Sequence, residues 1–171
     1  MAIFPIRLFG DPVLRQKAAE VKEIDDHVRR LMTDLTDTMM DAPGLGLAAN
    51  QIGVPRRVLV WHNEEDRGAI ANPRLVERAG TDVGEEGCLS LPPLRYPVER
   101  AKWVRVEGLG PDGEVLILER EDLTARILQH EIDHLDGVLF IDHLPAELQR
   151  EARRLLREQT LAGPPAPEST L

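Results

Sequence analysis

Residues 130–134 read His130-Glu131-Ile132-Asp133-His134, and this pentapeptide constrains the chain more than any other stretch. Side chains four residues apart share a face on a helix, where they lie about one turn apart. His130 and His134 can therefore grip one metal ion from the same helix. Glu131 then stands beside the ion, free to exchange a proton with bound water. The flanking residues support the helix on their own terms. Leu123 and Ile127 continue the histidine face toward the core, and Leu128, Ile132 and Leu135 form a second apolar stripe. The pattern predicts a helix starting near Asp122 as N-cap and ending at about Leu135, ahead of Gly137. With five histidines in 171 residues, chance would supply this motif in roughly one chain in a hundred. The bland alternative is two histidines hydrogen-bonded at a core edge with a solvated glutamate between them.

Length and charge narrow the setting. A chain of 171 residues fits one domain with a sizeable core, expected here over 1–162, followed by a Pro-rich, disordered tail at 163–171. The net charge of −9 argues against a general nucleic-acid binder, which needs an excess of Lys and Arg. Cys88 is the one cysteine, so no internal disulfide can form, and such a thiol is more often a small buried hydrophobe than a ligand. No apolar run spans a bilayer, and MAIFPIRLFGDP lacks the layout of a secretory signal; it reads as a first strand or extended arm ending at Gly10-Asp11-Pro12. The expected location is the cytoplasm.

Ile24, Val28, Leu31, Leu35 and Met39 recur at spacings of three and four, predicting an amphipathic helix over Ile24–Met40 with Pro43 past its end. Gly44–Gly53 reads as an irregular Gly-rich loop. From Arg57 to Leu118 the chain reads as short strands broken by Gly and Pro. The clearest hairpin joins Trp103–Glu107 to Val115–Glu119. A last helix spans Ala146–Leu161. Helix, strands, then helices predict an α+β fold: antiparallel strands around a central helix carrying the pentapeptide, with an N-terminal and a C-terminal helix.

A catalytic metal site has three protein ligands and an open position, so the third ligand decides the chemistry. A metzincin-type continuation would need a histidine at position 140, which is Phe140, and His143 comes too late. A thermolysin-type glutamate belongs near Arg154, where Glu151 and Glu158 only bracket the place. Cys88 becomes the leading candidate, since thiolate is a strong ligand for Zn²⁺ or Fe²⁺. Gly44-Leu45-Gly46-Leu47-Ala48-Ala49-Asn50-Gln51 superficially matches a dinucleotide loop. It follows a helix and leads to a strand, the reverse of what that motif requires. A loop of small residues that lets a substrate lie against the backbone, with Gln51 offering an amide donor, is the better reading.

The segments GLGLAANQ, EGCLS and QHEIDH, in this order, resemble the three signature motifs of the peptide deformylase family, and the likeness runs from RLFGDPVLR to about Arg157. The departures are mild: Asn50 in the first motif and Leu91-Pro92-Pro93 after the second. The resemblance implies Cys88, His130 and His134 around one divalent ion, Fe²⁺ in the native state, with Zn²⁺, Ni²⁺ or Co²⁺ accepted. It implies Glu131 as general base and acid, and Gln51 with the Leu89 N–H as oxyanion donors. The substrate would be a nascent peptide beginning with N-formylmethionine. Gly44, Leu45, Glu86, Leu123, Ile127 and His130 would surround its first residue, the Gly46 backbone would pair with the peptide, Gly87 would also contact it, and Arg95 would meet it further along. Rival readings are a zinc protease and a non-catalytic module holding a structural metal. Separately, Arg150, Arg153, Arg154 and Arg157 form a basic stripe on the last helix. It is either a solvated face paired with Glu147, Glu151 and Glu158 or a contact for ribosomal RNA.

Overall fold

The computed structural model describes residues 2–64 and 66–162; the Pro-rich tail lies outside the described residues. In chain order the elements are α1 (Asp26–Asp41), β1 (Gly46–Ala48), β2 (Val58–Asn63), β3 (Asp66–Ala79), β4 (Asp82–Gly87), β5 (Arg95–Arg100), β6 (Trp103–Leu109), β7 (Val115–Glu121), α2 (Asp122–Leu135) and α3 (Ala146–Ala162). Short 3₁₀ turns cover Pro12–Arg15, Ala49–Ile52 and Phe140–His143. One antiparallel sheet has the order β1-β2-β3-β6-β7, and β4 pairs with β5 alone. The fold is α+β, with the pentapeptide on α2. Among the described residues no helix is long and apolar enough to cross a membrane.

Strand β2 opens with Val58-Leu59-Val60-Trp61, an unbroken apolar run where a half-solvated strand would alternate. Both of its faces are covered. Val58 and Val60 pack with Met32, Leu35 and Met39 of α1, while Leu59 and Trp61 pack with Ala125, Leu128, Ile132 and Leu135 of α2. Each fully buried side chain of this size contributes about 1.5–3 kcal/mol, more than the ~1 kcal/mol span of strand propensities. Burial on two faces, rather than strand propensity, therefore holds β2 between the helices. Helix α1 starts two residues later than its periodicity predicts, because the Asp25 carboxylate accepts the Val28 N–H at 2.8 Å and caps it.

Four local expectations need correction or narrowing. The segment read as an irregular loop contains an edge strand, β1, paired with β2 through Gly46↔Trp61 to Ala48↔Leu59, and then a 3₁₀ turn. Strand β3 is one long strand of 14 residues that passes through Pro73. One register shift, between Ala71 and Arg74, spans the proline, and Asn72 adopts a φ of 50°, so the proline sits at an irregularity that spares the ladder. Of the strand or extended arm expected at the N-terminus only the arm is present, tied down by Arg7 N–H donating to Gln51 O and Phe9 N–H donating to Ser90 O. Asp122 is not the N-cap of α2. The chain leaves β7 and enters the helix without a loop, Glu121 taking the cap position. Asp122 makes the turn with a φ of 51°, a left-handed conformation that Asp tolerates better than most residues, while its N–H donates to Lys102 O.

Beyond α2, Gly137 reverses the chain with a φ of 74°, and a Cβ there would come within 2.6 Å of the Arg15 carbonyl. Asp142 then fastens the return. It accepts the Leu139 N–H at 2.9 Å, the Arg153 guanidinium at 3.1 Å and both arms of Arg15. Burial alone would raise its pKa, but these donors outweigh burial and hold the carboxyl below its ordinary 3.8. A depressed folded-state pKa contributes stability above the unfolded value and loses it as pH falls. Asp142→Asn should therefore lower unfolding free energy by about 1–2 kcal/mol at pH 7. In urea titrations the gap from wild type should close below pH 3.8.

Candidate metal centre

Three elements deliver the predicted site residues to one place. Helix α2 presents His130, Glu131 and His134; the turn after β4 presents Cys88 and Leu89; the 3₁₀ turn after β1 presents Gln51. Ligand atoms of Cys88, His130 and His134 all lie within 4.8 Å of one another, and Cys88 Sγ is 3.2 Å from His134 Nε2. The two imidazole centroids are 4.9 Å apart, and Phe140 stacks against His130 at 6.0 Å.

Glu86 decides how His130 enters the cluster. Its Oε2 lies 2.9 Å from His130 Nδ1. An ionised carboxylate can only accept, so Nδ1 carries the hydrogen and Nε2 is left as the donor atom for a metal. Arg100 adds two parallel hydrogen bonds to Glu86, at 2.8 and 3.0 Å, and Arg126 a third at 2.9 Å. Burial opposes the charge of Glu86, but His130 and Arg100 overcome it and hold its carboxyl well below the usual carboxylate range. The carboxylate expected beside a substrate is thus committed to His130 and two arginines, although Glu86 still borders the cavity.

Burial works against a charged His130, yet the Cys88 thiol and Glu86 raise its pKa well above the usual imidazole value. Burial, then the neighbouring His130 and Arg100, push His134 well below it. One thiol and two imidazoles, one of them backed by a carboxylate, suit a single divalent ion such as Zn²⁺ or Fe²⁺. Burial pushes the Glu131 carboxyl up to about 7. Its Oε2 is buried without a hydrogen-bond partner among the described residues, and a Cβ on Gly46 would fall 2.5 Å from its Oε1. The residues present therefore fit a metal ion with an acid–base group beside it.

Gln51 is 2% exposed and held at both ends. Its Oε1 accepts the Ala48 N–H at 2.9 Å, while Nε2 donates to Ser90 Oγ at 3.1 Å and lies 3.6 Å from Cys88 Sγ. The Leu89 N–H has no acceptor among the described residues. A cavity of about 490 Å³ opens onto the cluster and is bordered by Gly44, Leu45, Gly46, Glu86, Gly87, Arg95, Leu123 and Ile127. Leu123 departs from its expected place in the core. It sits in the first turn of α2 at the cavity rim, 45% exposed, whereas Ile127 one turn on is buried. Arg95 pairs with Glu85 at 2.7 Å on the rim.

Sequence reasoning missed Ser90, which orients Gln51 and donates its N–H to Cys88 Sγ at 3.4 Å; its place inside EGCLS was the available signal. It also missed Arg100 and Arg126, which no local pattern marks, and the Pro92–Leu94 wall of the cavity. The basic stripe on α3 is partly spent. Arg153 pairs with Asp142 and Arg154 with Glu158, while Arg150 and Arg157 have no ion-pair partner among the described residues.

A helix-borne His-Glu-x-x-His pair, completed by a thiol and opening on a cavity, is the arrangement of a small metal hydrolase. Comparison with known proteins narrows this. The profile of the family described as Polypeptide deformylase matches residues 3–150. A peptide deformylase of Acidothermus cellulolyticus is 53% identical, over 95% of this chain and 91% of that one. The crystal structure of peptide deformylase from Thermus thermophilus superposes with a TM-score of 0.88 at 42% identity, over 94% and 96% of the two chains. A Met-Ala-Ser-bound class I type b peptide deformylase from Acinetobacter baumannii superposes at 0.80 with 32% identity, over 84% and 99%. The chain belongs to the polypeptide deformylase family and is a hydrolase.

If Cys88, His130 and His134 share one ion, Zn²⁺ or Co²⁺ should protect the thiol. Alkylation of Cys88 by iodoacetamide should slow at least tenfold on adding one equivalent of metal to the metal-free protein, by mass spectrometry. Cys88→Ser should weaken Co²⁺ binding by about 100-fold or more in a chelator competition; unchanged affinity would remove Cys88 from the ligand set.

Proposed function

We propose that the protein removes the N-formyl group from peptides that begin with N-formylmethionine. The observation that carries this reading is the convergence of Cys88, His130 and His134 beside the buried carboxyl of Glu131, at the mouth of a cavity bordered by β1. Family membership supports it, as does the relative bound to Met-Ala-Ser, a peptide with the free N-terminus that deformylation would yield.

Cys88, His130 and His134 would hold one divalent ion, Fe²⁺ in the native state, with Zn²⁺, Ni²⁺ or Co²⁺ also compatible with the donor set. Such an ion supplies a Lewis acid that polarises the formyl carbonyl and lowers the pKa of water. Glu131 takes a proton from the attacking water as its oxygen bonds to the formyl carbon. It then delivers a proton to the amide nitrogen as the C–N bond breaks, leaving formate and a free amine. A carboxyl near 7 suits both halves of that exchange at neutral pH. The Gln51 amide and the Leu89 N–H would donate to the carbonyl oxygen as charge builds on it, each worth about 3–4 kcal/mol in comparable sites. Gly44, Leu45, Glu86, Gly87, Leu123, Ile127 and His130 would enclose the methionine side chain. The Gly46 backbone would pair with the peptide, and Arg95 would meet it further along.

Glu131→Gln should keep its metal but release formate from formyl-Met-Ala-Ser at least about 100-fold more slowly. Gly46→Ala, by displacing the Glu131 carboxylate, should cost a comparable factor in kcat. Cleavage of internal peptide bonds by the wild type would favour a protease, and bound metal without turnover a non-catalytic module. For partners, the unpaired Arg150 and Arg157 support a contact with ribosomal RNA. Charge reversal at Arg150 and Arg157 should then reduce co-sedimentation with ribosomes at low salt, and an unchanged pellet would argue for a solvated face.

A further inference from the structure

Two guanidiniums and an imidazole N–H converge on the single carboxylate of Glu86. Each guanidinium is met in turn by a second carboxylate. Arg126 donates to Asp82 Oδ2 at 2.7 Å, and Arg100 donates through Nη1 to Asp133 Oδ2 at 2.6 Å. Asp133 belongs to the pentapeptide but has no part in binding or proton transfer. Three residues after His130, it meets Arg100, the last residue of β5. The same Oδ2 lies 2.7 Å from His143 Nε2, which is also 3.3 Å from Arg100 Nη1. The ionised Asp133 carboxylate can only accept, so the shorter 2.7 Å contact places a hydrogen on His143 Nε2; that nitrogen accepts nothing from Arg100, and two donors share one oxygen. The path His143–Asp133–Arg100–Glu86–His130 runs from a side chain 38% exposed to one 11% exposed.

We propose that Asp133 and His143 are positioning residues for the metal-facing edge of His130, acting through Arg100 and Glu86. The proposal rests on the reading of His130 as a ligand given above. A carboxylate accepts a hydrogen bond less strongly as more positive charge draws on it. Asp133 takes one arm of Arg100 and offsets its charge, so that Arg100 presents Nε and Nη2 squarely to Glu86 without monopolising it. Glu86 then stays a strong acceptor for Nδ1–H, which fixes the ring and makes Nε2 the better donor. His143 holds the Asp133 oxygen in place from the surface side. Without the charge on Asp133, the full charge of Arg100 falls on Glu86 and its grip on His130 loosens.

The test uses Asp133→Asn and His143→Gln in the full chain. The measurements are Co²⁺ affinity of the metal-free protein, the visible spectrum of the Co²⁺ form, and kcat and KM on a formyl-Met peptide. Asp133→Asn should weaken Co²⁺ binding about tenfold, shift the Co²⁺ bands, and lower kcat with KM unchanged. His143→Gln should move all three readouts the same way by a smaller factor, and the double variant should match Asp133→Asn alone, since both act on one path. If Asp133→Asn does not fold, the half-exposed His143→Gln carries the test by itself. Wild-type Co²⁺ affinity and spectrum in the folded variants, with only a lower Tm, would make the network purely structural and overturn the proposal. Shifted Co²⁺ properties in a protein that releases no formate would uphold the network and sink the deformylation reading instead.

Discussion

The carboxylate of Glu86 holds the small β4–β5 sheet to the helix that carries the site. It is the one buried residue of β4, and β5 buries only Val98 and Arg100. An apolar interface of that size cannot fix where a two-stranded sheet sits, and polar groups do it instead. Glu86 reaches Arg100 on its partner strand and Arg126 and His130 on α2, while Arg126 also donates to the carbonyls of Asp82, Gly84 and Val98. Burying these charges costs several kcal/mol per ion, so the network is weak evidence for stability. Its value is uniqueness of position. Cys88 follows β4 directly, and its approach to His134 is only as well defined as the seat of that sheet. Removing one partner would leave a buried charge unanswered, a loss of roughly 3–5 kcal/mol, and would free Cys88 and His130 together.

The larger sheet supplies the other half of that rigidity. Because β2 is apolar on both faces, α1 and α2 clamp it from opposite sides, and α2 cannot rotate without exposing Leu128 or Leu135. Asp122 removes the remaining freedom by joining β7 to α2 with no intervening loop. Groups that must converge within fractions of an ångström are better placed on such elements than on loops. The two loop contributions, Leu89 and Gln51, are pinned separately: Gln51 by Ala48 and Ser90, and Leu89 by a turn closed through Leu91 N–H to Cys88 O.

Much of this was legible from residue patterns, and the reasons differ by element. The helices α1 and α2 followed from their periodicity, and the β6–β7 hairpin from alternation across a Gly-Pro-Asp-Gly turn, because both signals are local. The metal cluster was legible because i, i+4 histidines need nothing but a helix. The candidacy of Cys88 is not a local signal; it depends on the absence of the usual third-ligand spacings and on three motifs spread along the chain. What stayed hidden depends on tertiary contacts. The continuity of β3 through Pro73 rests on an irregularity at Asn72, whose side chain exchanges two hydrogen bonds with the backbone of Val21, outside the sheet. The commitment of Glu86 to Arg100 and Arg126 joins residues 14 and 40 positions apart, a distance at which composition carries no signal.

Sheet order also bears on what the site can accept. The two edges are β1 and β7, and they are treated differently. Edge strands invite pairing with other chains, and charged side chains discourage it; β7 ends in Glu119-Arg120-Glu121. Strand β1 is Gly46-Leu47-Ala48, with no charge and a glycine so close to Glu131 that a methyl group would not fit. An uncharged edge beside the buried Glu131 carboxyl suits an extended peptide whose first residue lies in the cavity and whose backbone pairs with the strand. The edge is only three residues long, so pairing can read the start of a chain and little more. Affinity would then come from backbone groups common to all peptides and from one enclosed side chain. That combination fits an enzyme acting on many different chains that share their first residue.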